Sequence, residues 1–238
     1  SCDVFFYDLA YKMGIDQIHE SLSLFQFGKK TGIDIPGELG GILPSREWKK
    51  LNKDEPWYRG ETLITGIGQG FMTASPMQLA LATGAIANKG QLYIPRVLMH
   101  TQSKNGETYL ESQVQSKQIP IKDISNWDLI EKAMRQTVYG KLGTAKRLNN
   151  KLSYTLAGKT GTAQVFGLDP EEKYIADNID EKLRDHALFT GYAPIENPKV
   201  AIAIIVENAG SGSSKAAPLA RALLDEYFIR NPVDSEKL

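Results

Sequence analysis

The chain has 238 residues, 42% of them hydrophobic and 24% charged, enough to bury a sizeable core in one large domain or two small ones. Lys plus Arg and Asp plus Glu both number 28, so no bulk field recruits nucleic acid or an anionic membrane. The single cysteine, Cys2, excludes an internal disulfide framework, and the longest apolar run, "VAIAIIV" at Val200–Val206, has the length of a strand rather than of a membrane span.

In chain order, "SCDVFFYDLAYKMG" reads as a helix with Asp3 as its N-cap and Gly14 as its stop, its Phe5, Phe6 and Tyr7 serving as helix or core packing. A second helix spans about Asp16 to Phe27 and ends at Gly28. From Lys29 to about Glu61 the pattern has no sustained period and predicts a long surface excursion, packed by Trp48, Trp57 and Tyr58. "ASPMQLALATGAIANKG" carries the fullest set of helix signals. Ser75 caps it, Pro76 takes the first turn, Gln78 completes a capping box and Gly90 follows its end. "QLYIPRVLMH", "KNGE" and "TYLE" predict a hairpin with an Asn-Gly turn, and Ser125 to Val138 an amphipathic helix. The last third changes character: Tyr154 to Phe166, His186 to Ile195 and Lys199 to Glu207 are predicted strands, the latter two joined by a tight turn and therefore antiparallel. His186, at a strand start, reads as a hydrogen-bonded structural histidine, and Leu168 to Asp185 as a solvated, charged insert. A closing helix from Ala216 to Phe228 offers Ala217, Ala220, Leu223, Leu224 and Tyr227 to the sheet. The expected class is α+β, an antiparallel sheet with helices on its faces.

Within the strand "YTLAGKTGTAQVFG", Lys159, Thr160, Gly161 and Thr162 set an ammonium, two hydroxyls and a glycine side by side. On an edge strand, Gly161 would clear a lane for a peptide backbone, the Thr162 amide could donate to a developing oxyanion, and the hydroxyls of Thr160 and Thr162 could hold a carboxylate. Lys159 would lower the pKa of a neighbouring proton carrier. At the other end, Ser1 stands two residues before Asp3 at a helix start, either as part of its cap or as a hydroxyl that moves protons beside a polar recognition group.

Together and in this order, Ser1-x-Asp3 and Lys159-Thr160-Gly161 resemble the S-x-N and K-T-G motifs of penicillin-binding proteins and serine β-lactamases. "GIGQGFMTASPMQLALATGAIANKG", "MRQTVYGKLGTA", "GYAPIENPKVAIAIIVENAG" and "AAPLARALLDEYF" extend the resemblance to nearly the whole chain and to the class B transpeptidases. "SCDVFFYDLAYKMGID", "PSREWKK" and "GKTGTAQVFG" are similar to the elongation-type penicillin-binding protein 2 of Gram-negative bacteria. The resemblance implies a penicillin-binding transpeptidase fold, residues 1–232 forming the C-terminal part of that domain and 233–238 a tail. It gives Ser1 the proton shuttle and Asp3 the place usually held by Asn. Lys159 becomes the electrostatic member, Thr160 and Thr162 the carboxylate ligands, Gly161 the open lane, and the Thr162 amide half of the oxyanion hole. It also implies peptidoglycan stem peptides ending in D-Ala-D-Ala as substrate, acylation by β-lactams, a RodA-type glycan polymerase and elongation complex as partners, and the periplasmic face of the inner membrane as location. No cofactor is required, although Cys2 stands where a thiolate can join upstream Asp and His residues around a structural zinc.

The family's nucleophile lies in a Ser-x-x-Lys motif, and no lysine here has a serine three residues before it; Lys104, with Thr101, comes nearest. The expectation is a chain cut just before S-x-N, with nucleophile and membrane anchor upstream and no activity of its own. A serine β-lactamase or sensor, and a non-catalytic scaffold, are the alternatives; the glycine-glutamine-glycine loop and the long excursion speak for the transpeptidase.

Overall fold

A computed structural model describes residues 2–106, 108–110, 114–165 and 179–232. They form two compact units: residues up to Ala85 with Gly90–Pro120, and Ile86–Lys89 with the chain from Ile121 onward.

The first unit opens with α1 (Asp3–Ser23), broken at Gly14, whose φ of 76° leaves the helical region as the sequence stop predicts. Its N-cap is Cys2 rather than Asp3, which is the first helical residue and places its carboxylate in the first turn, where the helix dipole favours it. The helix α3 (Arg59–Gly66) crosses α1 closely, because Gly66 faces the Cβ of Ala10 with no side chain of its own. That contact buries Ala10, while Ile15 and Ile18 are the other buried residues of α1. Of the helix or core packing read for Phe5 and Phe6, the packing on the helix is what forms: Phe5 is 60% exposed, and the two rings pack edge to face on each other at 5.3 Å.

The predicted excursion also contains more order than its lack of period suggested. Ser45 caps α2 (Arg46–Lys53) by accepting from the Trp48 amide at 2.9 Å, and Glu61 reaches back to the Tyr58 amide at 2.8 Å to start α3. Trp48 and Trp57 pack on Phe71, as expected of the excursion's aromatics, and the Trp57 indole donates to Thr62. Lys49 is buried beneath them, paired with Glu61 and Glu55 and lying 4.2 Å over the Tyr58 ring.

The capping box of α4 (Pro76–Ala87) forms as read: Gln78 N–H donates to Ser75 Oγ at 3.2 Å and Ser75 N–H to Gln78 Oε1 at 2.9 Å. Gln78 is fully buried, and its Nε2 donates to the carbonyls of Gln26, Lys29 and Gly40, tying the excursion to the helix start. Gly90 follows with φ 93° and bonds the Ala85 carbonyl. The short strands β1 (Gln91–Tyr93) and β4 (Ser116–Gln118) pair antiparallel around the expected hairpin of β2 (His100–Gln102) and β3 (Thr108–Leu110).

The second unit is built on three antiparallel strands in the order β5–β6–β7: β5 (Ala157–Ala163), β6 (His186–Ala193) and β7 (Val200–Val206). Ala187, Phe189 and Ala193 of β6 face α6 (Ala216–Arg230), while Tyr192 points to the other side, toward Ala87 and Met134. The helix α5 (Ser125–Tyr139) packs along β5 and contributes Val138 to one core and Met134 to the other. On α6 the buried stripe is Ala217, Ala220, Leu224 and Phe228; Leu223, expected on it, is exposed, because it sits about 100° round the helix from Leu224. The antiparallel sheet flanked by helices is thus the class expected from sequence.

Candidate active site

Lys159, Thr160, Gly161 and Thr162 occupy the middle of β5, an edge strand of the sheet among the described residues. The register pairs Lys159 with Thr190, Thr160 with Phe189, Gly161 with Leu188 and Thr162 with Ala187. The carbonyl oxygens of Gly161 and Leu188 crowd the same point, the place where a Cβ on Gly212 would stand, so they face each other across the ladder. In an antiparallel pair such positions alternate, which turns the amides of Thr160 and Thr162 to the outer side of β5. A Cβ on Gly161 would come 3.2 Å from the Leu188 Cβ, so the glycine keeps this face of the strand flat.

The side chains do not alternate simply. Lys159 is exposed, and its Nζ donates to the Thr160 carbonyl at 2.6 Å, which draws the ammonium along the strand edge. Thr160 is only 8% exposed and its hydroxyl is 2.7 Å from that of Thr144, whereas Thr162 is exposed. Two neighbours of this strand were not singled out from sequence. Thr144 belongs to the tight loop after α5, held by Gly143 N–H on the Gly140 carbonyl and Ala145 N–H on the Thr137 carbonyl. Gly212 lays the loop before α6 flat on the Gly161–Leu188 pair. The glycines of "YGKLGTA" and "GSGSS" were the available signal, since each marks a close backbone approach.

Beyond β5 the chain passes into residues 166–178, which lie outside the described residues and include most of the predicted insert. Its far end is well anchored. His186 Nδ1 accepts from the Asn208 amide at 2.9 Å, the structural role expected of it, and the Asn208 side chain donates to the carbonyls of Lys182 and Arg184. Asp185 corrects the solvated-face expectation: it is 6% exposed, its pKa is pushed up by burial, and it accepts from the Val165 amide. That bond clamps the end of the insert to the strand that carries Lys159.

Of the other sequence candidates, Ser1 lies outside the described residues, and Asp3 and Cys2 begin α1 in the first unit. Cys2 is exposed, and among the described residues no three His, Cys, Asp or Glu side chains gather to hold a metal. One thiolate is not a zinc site.

The chain matches the model of the penicillin-binding protein transpeptidase domain over residues 1–225. It belongs to that family. Among relatives, the peptidoglycan D,D-transpeptidase MrdA of Haemophilus influenzae is 40% identical over 237 residues, covering 100% of this chain and 36% of that protein. The MrdA of Escherichia coli K12 is 42% identical over 231 residues, covering 96% and 36%. The chain therefore spans about a third of the length of these curated relatives. Among solved structures, Pseudomonas aeruginosa PBP2 in complex with WCK 5153 superposes with a TM-score of 0.82 at 41% identity, over 99% of this chain and 49% of that one. The Helicobacter pylori PBP2 complexed with MreC gives 0.79 at 32% identity, over 95% and 38%. The resemblance to penicillin-binding protein 2 read from the motifs is thereby established, as is the penicillin-binding transpeptidase fold.

Proposed function

We propose that this chain supplies one wall of the active site of a peptidoglycan D,D-transpeptidase, which cross-links stem peptides through an acyl-serine intermediate and is acylated by β-lactams. The observation that carries the reading is the edge strand with its outward Thr162 amide, flat at Gly161 and carrying Lys159, in a chain of the transpeptidase family. A peptide ending in D-Ala-D-Ala lies along β5 as an added strand. The Thr162 amide donates to the oxyanion, the Thr162 hydroxyl holds the terminal carboxylate, and Thr160, tied to Thr144, fixes the strand beneath it. By the family resemblance, Lys159 supplies positive potential to a proton carrier, and Ser1 and Asp3 hold the proton-shuttle and amide-recognition places of S-x-N. The acylated serine belongs to a Ser-x-x-Lys motif outside these 238 residues, which contain none.

The reading also covers the setting: the periplasmic face of the inner membrane, with a RodA-type polymerase and elongation complex as partners. Support comes from the relatives, since a Helicobacter pylori PBP2 has been solved with MreC and another similar structure is described as a peptidoglycan synthase complex.

The test is labelling of the full-length protein with a fluorescent penicillin, followed by peptide mapping. The label is expected on a serine upstream of Ser1, and Lys159→Ala should slow labelling at least 100-fold with an unchanged melting curve. Label on a serine of this chain, or normal labelling of the alanine variant, would refute the assignment.

A further inference from the structure

The second unit carries a groove of about 500 Å³ at the far end of α5, unrelated to Lys159, lined by Ala87, Lys89, Glu131, Arg135, Ile195 and Glu196 among others. That volume is within the range of small-molecule sites. Its charges are arranged oddly. Glu131 and Arg135 are four apart on one helix face and would ordinarily pair with each other. Instead, Lys89 takes Glu131 Oε2 at 2.8 Å along with Asp128 at 2.7 Å, and Arg135 leans toward Glu196 at 3.5 Å.

Three polar groups are consequently underused. Arg135 makes no hydrogen bond among the described residues; its guanidinium has only that long ionic contact and the face of Tyr139 at 5.5 Å. Glu131 keeps Oε1 uncommitted. Beneath the floor, packed with Ala87 and Ile195, Tyr192 is fully buried and its hydroxyl has no partner. Burial raises the pKa of this phenol, with a smaller contribution from the charges of Glu131 and Glu196. A buried donor without a partner is rare and costly, and this one packs against Ala87 and Ile195 of the groove.

We propose that this groove binds a zwitterionic α-amino acid with a small apolar side chain. Its carboxylate takes the free fork of Arg135, its ammonium takes Glu131 Oε1, and its side chain rests on Ala87, Ile195 and Pro198. Glu196, displaced from Arg135 but still held by Thr155 Oγ1, turns its other oxygen to the Tyr192 hydroxyl, which gains the partner it lacks. Occupancy of the groove does not depend on catalysis.

The experiment is a saturation-transfer NMR titration of the full-length protein with D-alanine and L-alanine, using acetate and methylammonium as singly charged probes. Alanine should bind with a dissociation constant on the order of 1 mM. Acetate and methylammonium should each bind at least ten times more weakly, and Arg135→Gln and Glu131→Gln should each weaken alanine at least tenfold. Tyr192→Phe should weaken binding several-fold while raising the melting temperature of the unliganded protein by about 2–4 °C, a combination that simple loss of fold cannot give. Acetate binding as tightly as alanine would reduce the groove to a plain anion site and overturn the proposal. So would absence of alanine binding at ten times the expected constant, or binding that both charge variants leave intact. Should a variant misfold, the comparison of alanine with the singly charged probes on the unmodified protein still decides.

Discussion

Substituting Gly212 by alanine isolates what holds the K-T-G strand in place. Gly212 has an ordinary φ, so alanine meets no backbone penalty there. Its Cβ, however, would stand closer than 3.0 Å to the carbonyl oxygens of both Gly161 and Leu188, and 3.1 Å from the Gly161 nitrogen. All three are backbone atoms of a paired ladder and cannot rotate away, so either the loop lifts or β5 shifts against β6. Lifting the loop strains the Ala217 N–H bond to the Gly212 carbonyl at 2.9 Å, which starts α6. Overpacking of this kind costs about 1–3 kcal/mol, which for a domain of this size lowers the melting temperature by roughly 2–12 °C. The larger effect falls on function, because a displacement near 1 Å at the oxyanion donor costs roughly 100-fold in rate. The assay is the second-order rate of penicillin acylation of the full-length protein, measured beside its melting curve. Gly60→Ala is the control, since its φ is ordinary and nothing lies within 4 Å of its Cβ. If Gly212→Ala acylates at the normal rate with an unchanged melting temperature, the loop does not brace the strand and the reasoning fails.

Two further outcomes are expected. Gln78→Ala leaves the Lys29 and Gly40 carbonyls and the Ser75 amide without their partner, while the Gln26 carbonyl keeps the Lys29 amide, and should destabilise the first unit by about 3 kcal/mol or more; proteolysis within residues 29–41 at native temperature measures it. For Asp185 the native pKa lies above its ordinary value, so the folded protein binds this proton while the unfolded chain has already released it. Between those two pKa values stability therefore falls as pH rises, and Asp185→Asn should remove that part of the slope in urea midpoints measured from pH 4 upward. A slope unchanged in the variant would show that burial of this carboxyl does not govern it.

Elements with strong local signals were legible. The capping box Ser75–Gln78, the Gly14 break and the three C-terminal strands needed only caps, glycine and periodicity, which act over a few residues. The helix at Arg46–Lys53 was missed because its eight residues are mostly charged and hold a fully buried lysine, Lys49, that only a tertiary partner, Glu61, makes tolerable. Leu223 was misassigned for the opposite reason: apolar character licenses burial, but which face of a helix meets a neighbour depends on its packing, set here by Ala220 and Leu224 on the sheet.

The sequence alone determined the chemistry: an ammonium, a glycine and a threonine amide in one strand, in a chain without a Ser-x-x-Lys nucleophile, and with them the family. Those are properties of residue order, and covalent neighbours on a strand remain neighbours in any fold. Only the tertiary structure decided that the Thr160 hydroxyl belongs to Thr144, that Gly212 presses on Gly161, and that Arg135 and Glu131 turn away from each other around a buried, unpartnered Tyr192. Each of these joins residues from 16 to more than 50 positions apart, and such contacts follow from packing that no local pattern encodes.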